Sequence, residues 1–262
     1  MADTIGNALA AADSTKTRVT ELLRSGLDGN QKVEGLSWTI RDLAAHLATA
    51  GIAFREMAEG GPSPYESLDR RSETNQERLD AETTQDLGEL ADLIDDEIAR
   101  MLLAVGLRDS DVVSWHGGTL LPVAAFLGSV VGEFLLHGCD LAGTVGKPWP
   151  IERRDALPVI DFLVAVTPLV VNTESTRGLT ATYELRFRGH DTTTFTFDDG
   201  VLAVSSGRAP RADVRMSVDP ASFVQVAYKR VGLARPIVTG RAVAWGRRPW
   251  LALKFPGLFQ AP

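Results

Sequence analysis

The chain has a single cysteine, Cys139, in 262 residues. That excludes an internal disulfide framework, a multi-cysteine zinc site and a CxxC redox pair. A basic surplus is also missing: the formal net charge is −7. No nucleic-acid recognition motif appears, so DNA and RNA are not expected as partners. The N-terminal stretch carries Asp3 where a secretory signal needs basic residues, and no apolar core follows it. The longest uncharged apolar run, residues 117–132, contains Pro122 and falls short of the roughly 20 residues a membrane span requires. No membrane anchor is expected, and the sequence reads as cytoplasmic. Nucleophile elbow, P-loop and dinucleotide fingerprint are absent as well. What remains is 44% hydrophobic and 23% charged, the make-up of a folded globular protein with a sizeable core.

The charge is unevenly distributed. Residues 1–150 hold 12 basic and 24 acidic side chains, and residues 151–262 hold 15 and 10. Between positions 208 and 254 ten basic residues face two acidic ones. A swing of this size marks two modules with different surfaces. It suits either solvated faces that attract each other or a basic wall for a small anion.

Hydrophobic periodicity divides the chain in the same way. Helical spacing runs over 3–27, 39–54, 84–105 and 122–142, with the polar stretch 60–80 as a connection. Pro122 suits a first helical turn. Four amphipathic helices are most simply packed as an all-α four-helix bundle. The Lys-Pro-Trp-Pro segment at 147–150 interrupts the pattern, so a bundle over 1–148 and a second domain over 149–262 are predicted. After one more helical segment at 156–171 the period becomes two. Leu179, Ala181, Tyr183, Leu185 and Phe187 alternate with Thr180, Thr182, Glu184 and Arg186. Further strands follow at 192–197, 201–204 and 214–218, and Asp219-Pro220 opens a helix. The second half is read as α+β with an antiparallel sheet.

The residues able to carry chemistry concentrate in the helical half. Glu133 and His137, four apart, share one helix face about 6 Å from each other. His46 faces inward on the second helix among Leu43, Leu47 and Ala50. Were the two helices neighbours, two imidazoles and a carboxylate would converge in the core. Such a set holds zinc or, as a facial triad, Fe(II), with a position left open. The same residues also read as a packed core histidine and an ordinary i,i+4 pair. Yet an unpaired Glu133 after Val130, Val131 and Gly132 would be costly. Asp42 is placed either behind His46 or, as Thr39-x-x-Asp42, in a capping box. Asp140 is either a support for His137 or a helix-end hydrogen-bonder. His116 before Gly117-Gly118 is placed either above the site, entering it from a loop, or, more simply, as a solvated loop histidine; His190 reads as an exposed hairpin-tip residue and Cys139 as a small buried one. Gly128 and Gly132 are expected to let another helix approach.

Two stretches carry a resemblance. Trp38-Thr39-Ile40-Arg41-Asp42-Leu43-Ala44-Ala45-His46-Leu47 and Glu133-x-x-x-His137-x-x-Asp140-Leu141-Ala142-x-x-x-Gly146 resemble the mycothiol-dependent maleylpyruvate isomerase family. Ala212-Asp213-Val214, Ser217-Val218-Asp219-Pro220 and Thr239-Gly240-Arg241 resemble the sterol-carrier-like domain often fused to it. The resemblance implies a DinB-like bundle followed by a sterol-carrier-like domain. It also implies a divalent metal, zinc in the first instance, on His46, Glu133 and His137, with mycothiol as co-substrate. Arg241, and with it Arg235, would hold the thiol or substrate, Arg241 acting in catalysis.

The function expected is a metal-dependent, mycothiol-using S-transferase. It would act on a small anionic, electrophilic or S-linked metabolite, as a monomer or weak homo-oligomer. Maleylpyruvate-type cis–trans isomerisation is the alternative within the family. A non-catalytic carrier of small molecules or lipids, working through the second domain, is the alternative outside it.

Overall fold

A computed structural model describes residues 2–67, 70–108 and 111–260. By its contacts the chain divides into two units, Met1–Val159 and Ile160–Pro262.

In the first unit, helices α1 (Ala2–Leu23), α2 (Ile40–Ala58), α4 (Leu87–Gly106) and α5 (Val123–Thr144) form a four-helix arrangement, with α1 and α2 each packing on both α4 and α5. The connection expected at 60–80 contains a further helix, α3 (Arg71–Ala81), which packs on α2. It escapes sequence reading because Leu79 is its only buried residue, so no apolar stripe betrays it. A short hairpin, β1 (Val112–Ser114) and β2 (Leu120–Pro122), leads into α5. Helix α5 is long and apolar enough to cross a membrane, but most of it is buried in the bundle, where Phe126, Leu127, Val130, Val131, Phe134 and Leu135 are wholly enclosed. Gly128 and Gly132 are buried with them.

Helix α2 starts where the sequence places it. Thr39 Oγ1 accepts from the Asp42 N–H at 3.1 Å, and the Asp42 carboxylate accepts from the Thr39 N–H at 2.9 Å. Asp42 is therefore a capping residue. Burial opposes its charge, but the Thr39 hydrogen bonds and Arg41 prevail and hold its carboxyl below the ordinary range. Thr39→Ala is expected to cost ~1 kcal/mol in a urea titration. The contribution of Asp42 itself should be full above its unfolded value and fade as pH falls toward its folded one.

The Lys-Pro-Trp-Pro segment belongs to the bundle. Trp149 Nε1 donates to the Leu135 carbonyl at 3.0 Å, and the Arg18 guanidinium lies 4.0 Å above the Trp149 ring. The division between units falls further on, inside α6 (Arg153–Val166).

The second unit follows with a short helix α7 (Thr173–Thr176) and the strands β3 (Ala181–Phe187), β4 (Thr192–Asp198), β5 (Val201–Ser206) and β6 (Val214–Val218). Then come α8 (Pro220–Ala227), α9 (Ala234–Val238) and β7 (Ala242–Gly246). The strand order is β5-β4-β3-β6-β7. The sheet is mixed, not antiparallel, because β6 pairs with β3 in parallel. After β5 the chain returns through residues 207–213 to the start of β6. The Ala209 N–H donates to the Glu184 carboxylate at 3.1 Å on the way. Alternation predicts an outward Glu184; instead it is fully buried, accepting from Arg186 Nε at 2.6 Å and facing Arg215 Nε at 3.4 Å. Alternation specifies a strand but not its partner or direction, which is why the parallel pair stayed hidden.

Candidate metal centre

Helices α2 and α5 bring His46, Glu133 and His137 together, with one ligand atom from each lying within 4.8 Å of the others. Glu133 Oε1 is 2.6 Å from His46 Nε2 and 3.5 Å from His137 Nε2. The two imidazoles stand edge to face with centroids 5.1 Å apart. All three residues were singled out by spacing on two separate helices; the packing of α2 on α5 unites them.

The charges interlock. Burial would raise the Glu133 pKa, but hydrogen bonding to His137 and His46 overrides it and holds the carboxyl well below its usual range. Burial likewise opposes charge on His137, but Asp140 and Glu133 outweigh it and raise the imidazole to about 9. Asp140 Oδ2 sits 3.2 Å from His137 Nδ1, so it supports the ring from behind and leaves Nε2 facing Glu133. That decides the alternatives for Asp140 in favour of the histidine.

Sequence reading missed Trp38 as part of the site. Its ring lies 4.8 Å from that of His46 and 6.2 Å from that of His137. The available signals are its position immediately before the capping threonine and its place at the head of the 38–47 stretch that carries the resemblance. His116 also departs from expectation. It is buried, stacked on Trp115 at 3.9 Å and packed on Tyr65 at 4.3 Å. Burial first, and then the charge of Arg71, lower its pKa to about 3, so the ring is neutral. Burial, aided by Glu133, pushes Tyr65 up to about 12. A Gly-Gly loop reads as exposed in sequence, but the Gly117 N–H donates to the Tyr65 carbonyl and folds the loop onto the bundle.

The other expectations fare variously. His190 is not a free hairpin tip, since its Nε2 lies 2.8 Å from Asp161 Oδ1. Cys139 is half-buried, not enclosed. Arg235 and Arg241 are exposed on the second unit.

A helical bundle with two imidazoles and a carboxylate from facing helices, joined to a mixed-sheet unit, defines a class of two-part proteins. Residues 7–142 match the family described as mycothiol maleylpyruvate isomerase N-terminal domain. The chain belongs to that family, which is one of enzymes. Among solved structures it is similar to a mycothiol-dependent maleylpyruvate isomerase, at 19% identity and a TM-score of 0.51, covering 87% of this chain and 90% of that one. A histidine-to-alanine mutant of a mycothiol-dependent maleylpyruvate isomerase gives 16% identity and a TM-score of 0.50 over the same shares. These likenesses concern the fold. A stereoselective inverting sec-alkylsulfatase from a Pseudomonas species matches 53% of this chain at 19% identity and a TM-score of 0.36, and the chain spans 25% of its length. No curated protein matches the chain.

Proposed function

We propose that this protein is a metal-dependent enzyme that uses mycothiol to transfer or exchange a thiol on a small electrophilic or S-linked metabolite. The observation that supports this reading is the His46, Glu133 and His137 cluster inside the stretch that matches the family. The donor set fits a divalent ion such as zinc. It offers two nitrogens and one carboxylate, a count that leaves a coordination position for an incoming ligand, and a carboxylate behind one imidazole to fix its orientation. When bound, such an ion supplies the Lewis acidity that keeps a small thiol deprotonated at neutral pH.

The chain's own residues supply the rest. Glu133 holds both imidazoles in register, and Asp140 keeps a proton on His137 Nδ1. Trp38 packs beside the two rings, 4.8 Å from that of His46 and 6.2 Å from that of His137. The half-buried Cys139 does not belong to the cluster, so the nucleophile is an incoming thiol rather than a side chain. Arg241, with Arg235, is proposed to hold an anionic group of the substrate or thiol, as a bidentate guanidinium does well. We read the bundle as DinB-like and the second unit as sterol-carrier-like, on the order of the two modules and their motifs. Cis–trans isomerisation is the second reading, favoured by the family description. There the thiolate adds to a double bond, the new single bond rotates, and the thiolate leaves.

Elemental analysis of purified protein tests this reading, together with turnover of a panel of electrophiles and S-conjugates with mycothiol before and after chelation. About one divalent ion per chain is expected, with thiol-dependent turnover lost on chelation and restored by zinc. Turnover indifferent to chelation, or no ion bound after metal loading, would overturn it.

A further inference from the structure

Helix α3, which packs on α2, turns an unusual face inward. Arg71, Asn75 and Arg78 follow one another at helical spacing and are partly buried, whereas Glu73, Glu77 and Asp80 are exposed. An inward helix face is normally apolar; this one carries two guanidinium groups, while the helix's own carboxylates lie in solvent. Arg78 is left short of partners. One Nη donates to the Thr49 carbonyl at 2.7 Å. Its Nε is buried with no hydrogen-bond partner, and the guanidinium forms no ion pair among the described residues. An ionised group drawn inside without a counter-charge is costly, so the arrangement calls for an anion from outside the chain.

This face adjoins the metal cluster. Thr49, which holds Arg78, lies one turn beyond His46 on α2, and its hydroxyl donates to the His46 carbonyl at 3.0 Å. The Tyr65 hydroxyl donates to Asn75 Oδ1 at 2.8 Å, tying α3 to the ring that packs on His116. The hairpin bearing His116 rests on α2 and α5, the two helices that supply the metal donors. Burial governs the pKa of Tyr65; Glu133 follows it, and Arg78 and Arg71 act with the opposite sign. The arginine face and the metal carboxylate thus bear on one ring. His116 Nδ1, in the same group, is buried and has no hydrogen-bond partner among the described residues.

We propose that Arg78 and His116 are specificity-determining residues of the metal centre, binding a carboxylate carried by the electrophile. The guanidinium supplies the charge and the forked donors that suit a carboxylate. The neutral imidazole supplies one further hydrogen bond from Nδ1. This adds an anchor within the bundle to the one assigned to Arg241. The assignment rests on the thiol-transfer reading for its electrophile, but the binding it names is measured without turnover.

The test titrates zinc-loaded full-length protein with crotonate, an α,β-unsaturated carboxylate, and with crotonamide, its uncharged counterpart, by ligand-observed NMR. Crotonate is expected to bind saturably and more tightly than the amide. Arg78→Gln keeps an N–H for the Thr49 carbonyl and removes the charge. It should weaken crotonate about tenfold, leave crotonamide unchanged and retain its zinc. Arg78→Lys, which restores the charge without the fork, should recover part of the loss. His116→Phe keeps the stack on Trp115 and Tyr65 and should weaken crotonate about threefold with Tm held. Crotonate binding unaltered in a folded, zinc-loaded Arg78→Gln protein would overturn the proposal. So would an absence of saturable crotonate binding, or acid and amide binding equally well to the unsubstituted protein. Crotonate binding unaltered by His116→Phe would remove the imidazole from the assignment. Loss of thiol-dependent turnover across uncharged electrophiles would instead count against the thiol-transfer reading, and the crotonate comparison would still decide the role of Arg78.

Discussion

His46→Ala and His137→Ala proteins are expected to lose their divalent ion and to turn over thiol substrates about 10³-fold more slowly, the several kcal/mol that metal activation contributes. The cluster has three donors within 4.8 Å, and removing one leaves two, too few to compete with chelators. Asp140→Asn should be milder, weakening metal affinity about 10- to 100-fold through the ring it orients. The pH dependence has a definite sign. His137 is raised to about 9 in the metal-free fold because Asp140 and Glu133 overcome its burial. Its charged form therefore stabilises the metal-free fold fully below the unfolded value of 6.5, and that support disappears as pH rises through about 9. A metal ion needs the Nε2 lone pair, so binding expels the proton and tightens as pH climbs toward 9. Titration calorimetry in two buffers of different ionisation enthalpy should find about one proton released per ion at pH 7. Equal heats in both buffers, once corrected for the metal, would contradict this assignment of His137.

Gly138→Ala should be the most damaging single methyl in the bundle. A Cβ at this position would lie 2.0 Å from Trp149 Cζ2, with two further ring atoms at 2.6 Å. The ring is rigid and held at both ends, by its Nε1 hydrogen bond to Leu135 and by Arg18 over its face. It cannot yield as a flexible side chain would. The expected cost is ~2–3 kcal/mol, a fall in Tm of roughly 5–10 °C for a unit of this size, read by calorimetry. A double-mutant cycle with Trp149→Ala separates the collision from any helix effect. If Gly138→Ala costs as much without the indole as with it, the close approach is not the cause.

Much of the bundle was legible because its helices bury one stripe each. The apolar repeats of α1, α2, α4 and α5, and the Thr39–Asp42 cap, follow from local spacing and hydrogen-bonding chemistry alone. The types of the metal-site residues were legible for the same reason, since Glu133 and His137 share a face by helical geometry and His46 sits among apolar neighbours. Helix α3 was not, because a helix that buries only Leu79 carries no periodic signal. Strand β7 went unread as well. It is an edge strand with most of its residues exposed, so neither alternation nor burial marks it.

Tertiary structure decided everything that depends on which element lies beside which. Only packing sets His46 against Glu133 at 2.6 Å and brings the Trp38 ring to 4.8 Å from that of His46, since contacts between residues far apart in the chain leave no local pattern. Only the return of residues 207–213 makes the sheet mixed and turns Glu184 from an apparent surface residue into a buried anchor. The burial of His116 has the same origin, because a glycine loop looks solvated until Tyr65 and Trp115 close on it. The sequence alone determined which residues could bind a metal and where the helices begin. The fold determined that they meet, because long-range contacts are formed by the whole chain and are written in no one segment of it.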